Sequence, residues 1–172
     1  MRTVLPDPPP AELEALLERR RRLGLDHRDE VWQGALHVNP PPSYRHERIA
    51  SELHWLLRPY ADAAGLQLVG IVGIGAKEDH RVPDLTLQRP KDAEPQWQQT
   101  AALVVEILSP DDETMQKLPF YAVHRVDEVL IVDPEKQSVA WLGLKDGVYE
   151  PVRRSALIDL SAAELSQRID WP

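Results

Sequence analysis

Cysteine is absent from this chain of 172 residues. That absence removes a disulfide framework, thiolate zinc sites and a cysteine nucleophile together, and it fits a reducing cytoplasm. No apolar run is long enough to cross a bilayer. The opening stretch MRTVLPDPPP lacks the apolar core of a signal peptide. The expectation is a soluble, cytoplasmic protein with no membrane contact. A surplus of positive charge is also missing: 20 Lys and Arg stand against 28 Asp and Glu, a formal net charge of −8. Gripping nucleic acid through many phosphates usually takes a basic chain. This balance argues against tight, nonspecific DNA binding, while a local basic groove or a metal-bridged phosphate stays open.

Several familiar motifs are missing as well. HERIA (46–50) begins like the zinc-protease helix motif, but Ala50 stands where the second histidine belongs. GIVGIGAK (70–77) resembles a phosphate loop. Ala76 displaces its lysine by one, and Glu78 and Asp79 follow where a hydroxyl should meet magnesium. There is no G-x-S-x-G elbow, no helix-turn-helix, no zinc finger, and the six histidines lack ligand spacing. Arg19 to Arg22 point around a helix axis and form no single face, so they read as cations near a helix end.

What is present is an alternation of helices and strands. Leu13, Leu16, Leu17 and Leu23 have helical spacing in residues 10–24. Residues 30–39 read as a strand ended by NPPPS. Ser43 caps a long helix with Ile49, Leu53, Leu56, Leu57 and Tyr60 as its apolar stripe; Pro59 is expected to kink or shorten it, and Gly65 to end it. Strands follow at 67–75, 81–87 and 101–108, with a polar loop at 88–100. The near-continuous apolarity of 101–108 implies burial on both faces. Within DDETMQKLPFYAVHR lies a helix whose start is obscured by Pro119. Strands at 128–134 and 138–144 flank a turn at PEKQ, VYEPV offers one more, and the tail carries a short helix. The 16 prolines sit between elements and punctuate them. The order implies one α/β (α+β) domain over residues 1–172, a mixed central β-sheet flanked by helices.

One residue breaks this pattern. Seven of the ten residues of AALVVEILSP are alanine or branched aliphatic, Glu106 interrupts the run, and an unpaired buried charge is costly. If strands 81–87 and 101–108 are neighbours, a register exists that sets Asp84 beside Glu106. Two adjacent carboxylates repel, and a divalent cation relieves them. Magnesium suits one or two carboxylates with water and phosphate oxygens, and the Ile107 carbonyl is a natural extra ligand. Lys117, with Tyr121 at i+4, would bring a protonated amine over the two acids. The alternative is structural: Pro83-Asp84 simply opens a strand, and Glu106 pairs with Lys117 in a buried salt bridge.

DEVWQGALHVNPPPSYRHERI, DHRVPDLTL, VVEILSP and KLPFYAVHRVDEVLIVDP together resemble the bacterial putative restriction endonuclease family, formerly of unknown function, within the PD-(D/E)XK nuclease superfamily. The resemblance covers roughly residues 25–145, with the helix at 10–24 as an appendage. It implies a restriction-endonuclease-like core and Mg2+-dependent phosphodiester hydrolysis, with Mn2+ as a substitute. Asp84 and Glu106 match the two acids. Leu108 stands where the superfamily lysine belongs, and Lys117 takes over that role. His46 matches a histidine at the start of the long helix, a second-shell candidate together with Tyr121 and Glu30. The expected partner is nucleic acid, DNA rather than RNA, with a homodimer. Trp32, Trp55 and Trp141 are expected in the core or an interface rather than as stacking platforms. A different class of function, a non-catalytic binding or assembly module on the same fold, is suggested by the acidic charge and by Leu108.

Overall fold

The computed structural model describes residues 3–5, 10–90, 97–110 and 113–172. Its elements are β1 (Thr3–Leu5), α1 (Ala11–Arg22), β2 (Glu30–Trp32), β3 (Ala35–Val38), α2 (Tyr44–Ala63), β4 (Gln67–Val69), β5 (Gly73–Ala76), β6 (Asp79–Arg81), β7 (Leu85–Gln88), β8 (Trp97–Gln98), β9 (Leu103–Ile107), α3 (Thr114–Val123), β10 (Glu128–Asp133), β11 (Ser138–Lys145), β12 (Val148–Val152) and α4 (Ala162–Arg168). The mixed α+β class follows the sequence. The expected central sheet is β12-β11-β10-β9-β7-β4, and a second six-stranded sheet, β1-β3-β2-β6-β5-β8, stands beside it.

That second sheet comes from segments whose sequence reads as single strands. Residues 30–39 form a hairpin, because Gln33 and Gly34 take positive φ (50° and 86°), as a tight two-residue turn requires. Residues 67–75 divide at 70–72, so that β4 pairs in the central sheet and β5 in the second. Residues 81–87 divide at 82–84: β6 belongs to the second sheet and β7 to the central one. Pro83 has no N–H for a ladder, so the pairing lapses there. Both breaks are passages of the chain between the sheets, and Asp84 stands at the second of these breaks. The polar loop 88–100 holds β8, which lies on β5 with Trp97 close over Gly73. Residues 91–96 of that loop, residues 1–2 and 6–9, and Asp111 and Asp112 before α3 lie outside the described residues.

Both helical prolines are accommodated rather than disruptive. α2 runs through Pro59 and α3 through Pro119. Each proline is exposed, so the carbonyl it deprives of a partner, Trp55 or Met115, faces water. Ser43 caps α2 as expected, its Oγ accepting from His46 N at 3.2 Å. Ile49, Leu53 and Leu57 are fully buried against the central sheet.

β9 is buried along its whole length, as its composition demands. Leu103, Val105 and Ile107 face the core shared with α2, while Val104 lies in the core shared with α3. By alternation Glu106 points toward α3. The parallel pair β9–β10 is bridged by α3, which fixes that helix over Glu106. Trp141 is buried; Trp32 is half-buried; Trp55 stands outside the core at 80 % exposed.

A second buried carboxylate shows how this fold satisfies such a group without a cation. Glu128 accepts from Trp141 Nε1 (2.7 Å), Ser155 Oγ (2.6 Å) and Ala156 N (2.6 Å), tying the segment before α4 to the sheet. Glu128→Ala leaves three donors behind, and stranding buried donors costs ~1–3 kcal/mol each before relaxation. Urea unfolding is expected to show a loss of about 3 kcal/mol, and Glu128→Gln a smaller one.

Candidate active site

Between the sheets opens a cleft of about 370 Å³. Asp84, Glu106, Ile107, Lys117, His46 and Glu30 all line it. The β7–β9 ladder pairs Leu85 with Val105. Continued one residue, that register sets Asp84 opposite Glu106, the pairing expected from the sequence.

Asp84 is held from several directions. Its Oδ2 accepts from Ile107 N at 2.8 Å, and its Oδ1 lies 3.2 Å from both His46 Nε2 and Arg28 Nη1. Burial pushes this carboxyl up, but the His46 hydrogen bond and charge, with the Ile107 N–H, outweigh it and hold the carboxyl below its ordinary value. The same contact acts in reverse on His46. Burial disfavours its imidazolium, and Asp84 more than compensates, raising its pKa. The Ile107 carbonyl leaves β9 on the same edge as its N–H, toward Asp84.

Glu106 meets α3. Both its oxygens accept from Lys117 Nζ (3.1 and 3.0 Å), and Tyr121 donates a short hydrogen bond to Oε1. Lys117 and Tyr121, one helical turn apart, share the helix face that covers it. Lys117 Nζ also lies 3.0 Å from Glu30 Oε1. Glu30 is completely buried, and it accepts from Val82 N (2.9 Å) and Trp32 Nε1 (2.8 Å). Glu30, a second-shell candidate from the sequence, is an inward member of the cluster.

One ammonium thus serves two buried carboxylates. Burial opposes the Lys117 charge, but Glu106 and Glu30 outweigh it and hold the amine protonated well above its ordinary range. Glu106 is pushed up to about 7, by burial first; Lys117 pulls it down, while Asp84 and Glu30 push it further up. Burial and the adjacent carboxylates raise Tyr121 well above its ordinary value, so its hydroxyl stays protonated and donates.

Among the described residues no three His, Cys, Asp or Glu side chains converge as a ready metal cage. The available donors are two carboxylates and a backbone carbonyl at one open cleft. Hard oxygen donors with room for water fit a magnesium-like cation, which seldom takes an all-protein cage. The Glu106 pKa is raised by burial first and then by Asp84 and Glu30, and a cation beside these carboxylates would lower it.

The Uma2 family, described as putative restriction endonuclease, matches residues 11–169. The chain belongs to the Uma2 family. The match takes in α1, which the sequence reading set apart as an appendage. A crystal structure of a "putative nuclease belonging to DUF820" from Anabaena variabilis is similar in fold, with a TM-score of 0.66 and 18 % identity, over 81 % of this chain and 90 % of that one. A DrdV–DNA complex aligns at a TM-score of 0.40 and 16 % identity, over 73 % of this chain and 11 % of that one. No curated protein matches the chain. Among the described residues no helix of this Uma2 chain is long and apolar enough to cross a membrane.

Sequence reasoning missed Arg28 and Glu47, which meet at 2.8 Å on the rim beside Asp84. Arg28 sits in the HRDE stretch between α1 and β2, where no periodicity or motif marks it.

The pKa directions set a pH dependence. Glu106 binds its proton more tightly folded than unfolded, so its contribution is full below its ordinary value of 4.5 and is lost as pH rises through about 7. His46, also raised, has the same sign. Unfolding free energy is therefore expected to fall between about pH 5 and pH 8. In Glu106→Gln the part of that slope due to Glu106 should vanish, leaving the His46 share. An unchanged slope in chemical denaturation would contradict the raised Glu106 pKa.

Proposed function

We propose that this chain is a divalent-metal-dependent endonuclease that hydrolyses phosphodiester bonds of nucleic acid, DNA rather than RNA. The observation that carries the reading is the meeting of Asp84 and Glu106, from adjacent strands, with Lys117 in one open cleft. This arrangement matches the PD-(D/E)XK pattern with its lysine moved from the strand to the following helix. Leu108, at the position two beyond the acid, packs toward the α3 core instead.

Mg2+ is the proposed ion, with Mn2+ as a substitute, and Asp84, Glu106 and the Ile107 carbonyl would hold it. Such an ion, when bound, acidifies water and draws charge from the phosphate. The protein's own groups do the rest. His46 and the Ile107 N–H keep Asp84 ionised and oriented. Tyr121 fixes the rotamer of Glu106, and Glu30 fixes Lys117 from the opposite sheet. Lys117 remains protonated, so it supplies fixed positive charge near the reacting phosphate rather than acting as a base. The proposal includes a single domain acting in the cytoplasm as a homodimer, since paired sites suit cutting of both strands.

The test is cleavage of single- and double-stranded DNA and RNA in Mg2+ or Mn2+. Asp84→Ala and Glu106→Ala should lose about 10²–10³-fold or more in rate. Lys117→Ala should lose about 10²-fold, and His46→Ala about 10- to 100-fold. Millimolar Mn2+ should raise the melting temperature of the wild type and not of Asp84→Ala. Cleavage that survives Asp84→Ala, in a folded variant, removes the assignment. A wild type that neither cuts nor responds to metal is instead a non-catalytic module.

A further inference from the structure

Three basic side chains border the cleft: Lys117, His46 and Arg28. Their spare hydrogen-bonding capacity differs. An ammonium has three N–H groups, and those of Lys117 are matched by Glu106 Oε1, Glu106 Oε2 and Glu30 Oε1 at 3.0–3.1 Å. His46 gives Nε2 to Asp84 and its backbone N–H to the Ser43 cap; its Nδ1 has no hydrogen-bond partner among the described residues but is itself buried. A guanidinium has five N–H groups. Among the described residues Arg28 uses one on Asp84 and one on Glu47. Its side chain remains 22 % exposed at the cleft rim.

The backbone around Arg28 is anchored independently of the side chain's two ion pairs. Its carbonyl accepts from Asn39 Nδ2 at 2.6 Å. The next residue, Asp29, accepts from Asn39 N and from Arg20 at 3.0 Å each. The loop therefore fixes the base from which the side chain reaches Asp84 and Glu47. One of its two acceptors is the Asp84 oxygen that no backbone group holds: Oδ2 is tied to Ile107 N, whereas Oδ1 is contacted by side chains alone, those of Arg28 and His46. A divalent cation and Arg28 are thus rivals for the same oxygen. Released from it, a planar guanidinium suits the paired oxygens of a phosphate.

We propose that Arg28 is the phosphate-binding residue of the cleft, and that while the cleft is empty it guards Asp84 as a stand-in for the cation. This rests on the nuclease reading above. It makes Arg28 act in two opposed directions: it weakens cation binding and strengthens binding of nucleic acid. A purely structural arginine would weaken both when removed.

The experiment compares wild type, Arg28→Ala and Arg28→Lys, each verified as folded by circular dichroism. Mn2+ affinity is measured by calorimetry on the protein alone. Binding of labelled single- and double-stranded DNA and RNA oligonucleotides is measured by anisotropy in EDTA over a salt series. For Arg28→Ala the expected results are Mn2+ binding tightened about 3- to 10-fold, and oligonucleotide binding weakened about 10-fold, with the logarithmic salt slope shallower by about 1. Arg28→Lys should recover the salt slope, because the charge is restored, but only part of the affinity, because the fork is lost. Oligonucleotide affinity unchanged in Arg28→Ala, with wild type binding normally, overturns the proposal and leaves the nuclease reading standing. Mn2+ and oligonucleotide affinity falling together also overturns it, as that marks a structural arginine. A wild type that binds neither Mn2+ nor any oligonucleotide overturns the nuclease reading and this proposal with it.

Discussion

A single buried ammonium between two buried carboxylates is the constraint on which the rest of the structure turns. Glu30 comes from the second sheet, Glu106 from the central one, and Lys117 from the helix between β9 and β10. None of the three is tolerable alone in such a place, since removing one partner of a buried ion pair typically costs ~3–5 kcal/mol. Each therefore dictates where the others must be. The parallel β9–β10 pair with its crossover helix, the inward turn of β2 and the passage of the chain between sheets all serve that meeting. The excess of one negative charge is what separates this cluster from Glu128. That carboxylate is settled by three neutral donors.

The break between β6 and β7, where the chain passes from one sheet to the other, gives the cleft its Asp84. Asp84 emerges where β6 has ended and β7 has not begun, so its backbone is partly outside a ladder while its neighbours are inside one. Such a position leaves a side chain at the mouth of a sheet, with rigid strands directly behind it. Precision comes from the strands and access from the break. His46, in the first turn of a capped helix, approaches from the other wall.

Much of this could be read from the residues. The apolar run of β9 announced a doubly buried strand, and one carboxylate in it demanded company. Lys117 and Tyr121 at helical spacing supplied that company, and both reach Glu106. The two readings of Glu106, buried ion pair and cleft ligand, prove compatible in geometry: its partner is Lys117, and it also lines the opening. What was illegible has physical causes. A hairpin through Gln33-Gly34 lacks the usual Asn-Gly or Asp-Gly signature, so 30–39 reads as unbroken. The division at 70–72 depends on which sheet each half joins, a long-range choice with no local signal. Arg28 belongs to a loop, and loops carry no period. Pro59 and Pro119 do not end their helices, and at an exposed helix position water can take the place of the missing N–H.

β12 ends the central sheet with Pro151, opposite Leu142. A proline in an edge strand has no donor to offer a newcomer, and the flanking Glu150 adds charge, so a further strand would find a broken template there. The sheet that carries Asp84 and Glu106 is in this way closed to growth at its β12 end. Whatever assembles with this protein must approach by side-chain packing on that flank, and the same proline guards a freshly made chain from sheet-to-sheet aggregation at a site remote from the chemistry.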